Sequence, residues 1–259
     1  MPMDTRSFLL LALLTGAVSL NGQQRVAVNG RELYLDCEGG GDGPTVILLA
    51  GGGGTTGTWD KVQPAVSAFA KVCSYDRAGL GRSDSINGRQ SAEEIVNDLS
   101  MLLKNARIQP PYVLVGHSIG GLYARKFDEQ HDAEVAAMVL VDSSHEEQIW
   151  RFAGDEPAAL SEYPNWKNSS EMEAEGFLAS GKLLQWQFRK PLIVIEHGIP
   201  PEPVWHAMQL DLAGRSPGGR LITATNSGHY IQKMEPELVI QSIREVLSEA
   251  RRGTAPTVS

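Results

Sequence analysis

The chain alternates between short, continuously apolar runs and segments with helical spacing. Thr45 to Leu49, Val72 to Tyr75, Tyr112 to Val115, Met138 to Val141, Leu192 to Ile195 and Leu221 to Ala224 are dominated by apolar and β-prone residues. Runs of this kind predict strands buried on both faces. Ahead of them, Arg25 to Val28 and Glu32 to Cys37 flank Asn29-Gly30, a strong two-residue hairpin signal. Asp42-Gly43-Pro44 then makes a turn. Between the runs, helical spacing is read near Asp60 to Ala70, and again from Leu122 to Gln130. Ser91 with Glu94 forms a capping box that opens a helix to about Ala106, with Ile95, Leu99, Leu102 and Leu103 on one face. Pro236 opens the last helix, Glu237 to Ala250, striped by Leu238, Ile240, Ile243 and Leu247. Strands alternating with helices imply an α/β fold with a mostly parallel sheet covered on both faces.

One segment interrupts the alternation. Ser143 to Lys190 is too long for a plain connection between two strands and is rich in aromatic residues. It is expected to form a small helical cap inserted into a core of residues 23–142 and 191–250. Trp150, Trp166 and Trp186 are candidates for the wall of an apolar substrate pocket. The competing reading is that such aromatics only pack the cap against the body.

The two ends differ from the body. Phe8 to Leu20 is an apolar run preceded by Arg6 and followed by small and polar residues, with Ala17-Val18-Ser19 as a small-x-small cleavage site. Its length fits the h-region of a secretory signal peptide better than a membrane span of about 20 residues. Residues 1–22 are therefore expected to be removed, leaving a secreted or periplasmic protein with no stable membrane insertion. The alternative is an extended start whose apolar segment packs on the body. The tail, residues 251–259, lacks periodicity and is expected to be disordered.

Composition narrows the partners. With 259 residues, 42% hydrophobic and 21% charged, the chain can build one large α/β core. Its net charge of −8, without a basic cluster in the body, argues against a nucleic-acid partner. No H-x-x-x-H or C-x-x-C spacing suggests a metal, and Gly51 to Gly54 lacks the Lys-Ser/Thr that completes a phosphate-binding loop. No cofactor is implied. The two cysteines, Cys37 and Cys73, each end a strand-like run and are compatible with one disulfide or with two buried thiols.

Candidate chemistry centres on Gly116-His117-Ser118-Ile119-Gly120, which fits the G-x-S-x-G nucleophile elbow. A strand reversing into a helix within a few residues exposes the serine Oγ and needs glycine neighbours, whose missing Cβ atoms avoid the adjacent strand and helix. The backbone N–H of Ile119 then lies at a helix N-terminus, where an oxyanion is favoured.

These features together resemble the α/β-hydrolase superfamily. The resemblance covers residues 25–250. It is carried by the 116–120 elbow, the glycine-rich loop after Leu49, the Tyr75-Asp76-Arg77-Ala78-Gly79 turn, and Gly228-His229 before the final helix. It implies an eight-stranded sheet of order 1-2-4-3-5-6-7-8, with a cap after strand six. That order makes strands two and four neighbours, which favours a Cys37–Cys73 bridge. It also implies a triad in the order serine, acid, histidine. Ser118 is then the nucleophile, and His229, alone of six histidines in a loop after the last strand, is the base. The family's usual acid position, after strand seven, holds Glu196-His197-Gly198 and no aspartate. Some members use a carboxylate at the end of strand six, where Asp142 stands; Glu202 and Asp211 are the alternatives. The oxyanion hole is expected from the N–H groups of Ile119 and Gly52. The implied activity is cleavage of carboxylic esters of small molecules through an acyl-enzyme. A lactonase or an acyltransferase could use the same residues, and a non-catalytic ligand-binding protein is the rival from another class. Oligomeric state is not legible.

Overall fold

Residues 22–88, 90–148, 151 and 185–253 are described by the computed structural model of the chain. The hairpin at Asn29-Gly30 joins β1 (Gly22–Val28) to β2 (Arg31–Glu38), and Asn29 and Gly30 both take positive φ, as that turn requires. The apolar runs become β3 (Thr45–Leu49), β4 (Val72–Tyr75), β5 (Tyr112–His117), β6 (Val135–Val141), β7 (Leu192–His197) and β8 (Arg220–Ala224). They form one sheet of order β1-β2-β4-β3-β5-β6-β7-β8. β1 and β2 pair antiparallel, as do β2 and β4, and the remaining pairs are parallel. This is the order the resemblance implied.

The helices are α1 (Gln63–Ser67), α2 (Ala92–Asn105), α3 (Ile119–His131), α4 (Pro203–Gly214), α5 (Ile231–Met234) and α6 (Pro236–Gly253). They divide the core into two layers because a strand sends alternate side chains to opposite faces. From β5, Tyr112 and Leu114 pack with residues of α2, α3 and α4, while Val113 and Val115 pack with residues of α1 and α6. Each such buried side chain contributes about 1.5–3 kcal/mol. The Ser91–Glu94 capping box forms as read, with Ser91 Oγ accepting from the Glu94 N–H and Glu94 accepting from the Ser91 N–H.

Several expectations change. The helix read over 60–70 is shorter: a 3-10 turn, Thr56–Trp59, precedes α1. Pro64 has no N–H to give to the carbonyl four residues back, so the helix cannot extend continuously from Asp60. At the other end, Arg251 and Arg252 are helical rather than disordered. The Arg252 guanidinium donates to Ser248 Oγ at 2.9 Å, and cations are favoured in a last helical turn. The putting-together of the expected cap also differs at its edges. Ser143 to Glu146 are buried in the body, and Trp186 and Phe188 belong to the core layer under α3. The middle of the segment expected to form a cap, with Trp150 and Trp166, lies outside the described residues. Cys37 and Cys73 are paired directly across β2 and β4 and form a disulfide.

Candidate functional site

Where β5 ends, the ladder continues one step: the Ser118 N–H donates to the Val141 carbonyl of β6 at 3.1 Å. Ser118 itself takes φ 53°, a left-handed conformation that a non-glycine residue adopts only under strain, and α3 starts at Ile119. The flanking glycines are sterically required. A Cβ on Gly116 would lie 2.5 Å from the Gly120 carbonyl oxygen, and one on Gly120 would run into the carbonyls of Leu49 and Ala50. Half-buried Ser118 is thus held at the C-terminal edge of the sheet, at the N-terminus of α3, whose Gly121 N–H donates back to the Ser118 carbonyl at 3.0 Å.

Asp142 repeats the arrangement one strand over. Its N–H donates to the Ile195 carbonyl of β7 at 2.6 Å, and it takes φ 45°. Its carboxylate is fully buried and receives four N–H groups. His229 Nδ1 donates to Oδ2 at 2.6 Å and Trp205 Nε1 to Oδ1 at 2.7 Å. His197 donates from its backbone N–H to Oδ1 at 3.0 Å, and its Nδ1 lies 2.9 Å from both oxygens. Burial alone would raise this carboxyl, but the bonds from His229, His197 and Trp205 hold it below the usual carboxylate range. With Nδ1–H committed to Asp142, neutral His229 leaves Nε2 bare as a proton acceptor. The His229 side chain is 43% exposed.

Of the alternative acids, Asp211 is engaged elsewhere. Asp211 bonds His145 Nε2 at 3.0 Å and the Arg215 guanidinium at 2.6 Å, and Glu202 is an exposed residue preceding α4. Asp211 belongs to a buried ionic network that fixes the segment after Asp142. Arg125 donates to Glu146 at 2.6 Å and to the Ser144 carbonyl at 2.8 Å, Arg215 meets Glu146 at 2.5 Å, and Gln209 donates to the Ser143 carbonyl at 2.8 Å. Burial would raise Glu146, yet Arg125, His145 and Arg215 bring it down to about 2.

His117 ties the elbow to the histidine loop. Its Nε2–H donates to the His229 carbonyl at 2.9 Å, and its ring lies 4.7 Å from the His229 ring and 5.4 Å from the Tyr230 ring. Burial, and then the neighbouring His229, lower it to about 4, so at neutral pH it is uncharged. On the opposite side, Gly51 comes so close that a Cβ there would lie 3.0 Å from Ser118 Cβ. The loop carrying Gly51 is clamped by Arg77, whose guanidinium donates to the Ala50 carbonyl at 2.6 Å and the Gly51 carbonyl at 2.8 Å. In a trans peptide the following N–H points away from its carbonyl, so the N–H groups of Gly51 and Gly52 are turned away from Arg77.

The structure therefore brings His229 and Asp142 into direct contact, links His229 to the residue preceding Ser118, and sets the Gly51 loop against Ser118. It does not bring Trp186 there. That indole is buried, stacks on Phe188 with ring centroids 5.5 Å apart, and donates to Asp128 in the last turns of α3, remote from Ser118 at its start. A Trp–Asp bond inside the core makes it packing rather than pocket wall. The sequence reading missed His197, Trp205, His117 and Arg77 as parts of the site. Among the described residues no group of three His, Cys, Asp or Glu side chains is arranged to hold a metal ion.

Comparison with known proteins identifies the family and the fold. A family model described as the alpha/beta hydrolase fold matches residues 44–236. A curated relative, the uncharacterised protein YqjL of Bacillus subtilis (strain 168), is 28% identical over 254 residues, covering 90% of this chain and 95% of its own length. Among solved structures, a thermophilic esterase from Thermogutta terrifontis superposes with a TM-score of 0.68 at 21% identity, covering 88% of this chain and 99% of the esterase. The enol-lactonase from Burkholderia xenovorans LB400 does so with 0.64 at 20% identity, covering 87% and 100%.

Proposed function

The chain belongs to the alpha/beta-hydrolase family, and on that premise we propose that it is a serine hydrolase that cleaves carboxylic esters through an acyl-enzyme. The observation carrying this reading is the buried Asp142 carboxylate bonded to His229 Nδ1 at 2.6 Å, one strand over from the strained Ser118. His229 Nε2 takes the Ser118 hydroxyl proton as Oγ attacks the ester carbonyl. Negative charge developing on the carbonyl oxygen is met by the N–H groups of Ile119 and Gly52, each donor of this kind typically contributing about 2.7–4 kcal/mol. The tetrahedral intermediate collapses, and His229 returns the proton to the departing alcohol. Water, deprotonated by the same Nε2, then attacks the Ser118 ester and releases the acid. Throughout, Asp142 keeps His229 in the Nδ1–H tautomer and stabilises the transient imidazolium.

A fluorophosphonate probe tests the reading. Folded wild-type protein is expected to label at Ser118, and Ser118→Ala to lose both labelling and turnover of p-nitrophenyl esters. Wild-type protein that does not label would sink it. Lactones are a second substrate class, because a ring ester offers the same carbonyl and the fold is shared with an enol-lactonase. A panel of esters of graded chain length together with lactones separates the two.

We further propose that the protein works in an oxidising, extracytoplasmic compartment. The Cys37–Cys73 disulfide supports this. N-terminal mass analysis of protein recovered from an export-competent host is expected to show removal of about the first 20 residues.

A further inference from the structure

Two histidines, not one, present Nδ1 to the same buried carboxylate. His229 reaches Asp142 from the loop after β8, and His197 reaches it from the end of β7. The His197 side chain is 11% exposed, against 43% for His229, and its backbone N–H adds a further bond to Oδ1. Its ring lies 6.1 Å from that of Trp205, the remaining donor to Asp142. The other ionisable groups near this cluster are already engaged. Glu196, next along β7, is held by His206 and Thr223, and His117, which bonds the His229 carbonyl and lies against its ring, also interacts electrostatically with Asp142.

One carboxylate carries one negative charge and can fully compensate one imidazolium. In the proposed reaction His229 becomes that imidazolium each time it takes the proton of Ser118. A proton already resident on His197 uses the same charge and adds a second cation on the same carboxylate.

We propose that His197 is a positioning residue with a second role. Its two N–H groups lock the Asp142 carboxylate so that Oδ2 faces His229, and its protonation switches the triad down in acid. This rests on the Ser118–His229–Asp142 reading and adds to it a built-in acid sensitivity. His197 is the last residue of β7, the strand beside the one that Asp142 follows.

The test compares His197→Asn and His197→Leu with wild type, measuring kcat and KM for a p-nitrophenyl ester from pH 4.5 to 8.5. Asparagine can donate from Nδ2 where the imidazole donated from Nδ1, but it cannot be charged. At pH 8 His197→Leu is expected to lose at least about tenfold in kcat with KM little changed, the effect of removing one hydrogen bond to a buried charge. His197→Asn is expected to recover most of that loss. The acid limb of kcat/KM is expected to begin at higher pH in wild type than in His197→Asn, because a proton on either imidazole takes up the single carboxylate charge. In His197→Asn it should fall as a single proton and lie at lower pH. If the normalised His197→Asn profile superimposes on wild type, the acid-sensing role is wrong. If His197→Leu retains wild-type kcat, the positioning role is wrong. Should His197→Leu fail to fold, His197→Asn still decides, because a purely structural residue leaves its pH profile unmoved. Fluorophosphonate labelling of Ser118 and turnover by Asp142→Asn are measured alongside. If labelling persists and Asp142→Asn is inactive while both His197 variants are silent, this inference alone fails. If Asp142→Asn is fully active, the triad reading itself has failed.

Discussion

Ser118 and Asp142 are both non-glycine residues with positive φ, at the ends of adjacent strands. Such conformations cost on the order of 1–3 kcal/mol each and persist where surrounding structure over-determines them. Here the ladder bonds to Val141 and Ile195 do so. Replacing Asp142 by Asn keeps the shape but offers an amide where His229 needs an acceptor. The expected outcome is a fall in kcat of about 10⁴-fold with a far-ultraviolet dichroism spectrum like wild type. A second residue-scale consequence concerns stability. His117 is lowered from 6.5 to about 4 by burial. Between those values the unfolded chain binds the proton that the folded chain refuses, so stability falls as the pH drops through that window. At pH 4.5 the loss relative to pH 7 is on the order of 2 kcal/mol. Urea unfolding at the two values should show a smaller acid loss in His117→Phe. Ser118 and His229 were legible in the sequence because each carries a local signature, one in its glycines and the other in its place before the final helix. Asp142 could only be weighed against Glu202 and Asp211, since its claim depends on which side chains converge from β7, β8 and α4. His197 had a signal that pointed the other way: it stands where an acid was sought and was passed over for not being one.

At the scale of elements, the elbow is a strand, a turn and a helix locked by contact. A Cβ on Gly120 would meet backbone carbonyls of β3 and the loop after it, which cannot swing aside as a flexible side chain could. Gly120→Ala is expected to destabilise the protein by about 3 kcal/mol or more, read from its denaturation midpoint. The apolar runs fixed the strands to within a few residues because a strand buried on both faces has no polar face to confuse the pattern. Helices were less uniform. The capping box made the start of α2 legible, whereas the segment near Asp60 divides into a 3-10 turn ending at Trp59 and a helix beginning at Gln63. Arg77 shows what no local pattern carries. Its turn was visible, but its grip on the Ala50 and Gly51 carbonyls exists only because β3 and β4 lie side by side.

For the whole molecule, the Cys37–Cys73 disulfide joins residues 36 apart in sequence and pins the antiparallel edge to the parallel body of the sheet. A loop of that size gives about 4 kcal/mol in the chain-entropy model. The Cys37→Ser/Cys73→Ser double variant is expected to melt substantially lower while keeping its ester turnover at 25 °C, since the bridge lies on strands that carry none of the proposed catalytic groups. The sheet order was readable only through the family resemblance. Periodicity names strands but not their neighbours.

The placement of Asp142 on β6 has a practical consequence. The nucleophile, both oxyanion donors and the acid all precede Ser143 in the chain, while His229, His197 and Trp205 all follow Lys190. A chain cut between Gln148 and Trp186 therefore yields one fragment able to hold every group except the base, and another bringing the base together with its supports. Neither half can turn over an ester alone. Fused to two partners that meet, they are expected to recover ester turnover only on reassembly, read as release of p-nitrophenolate.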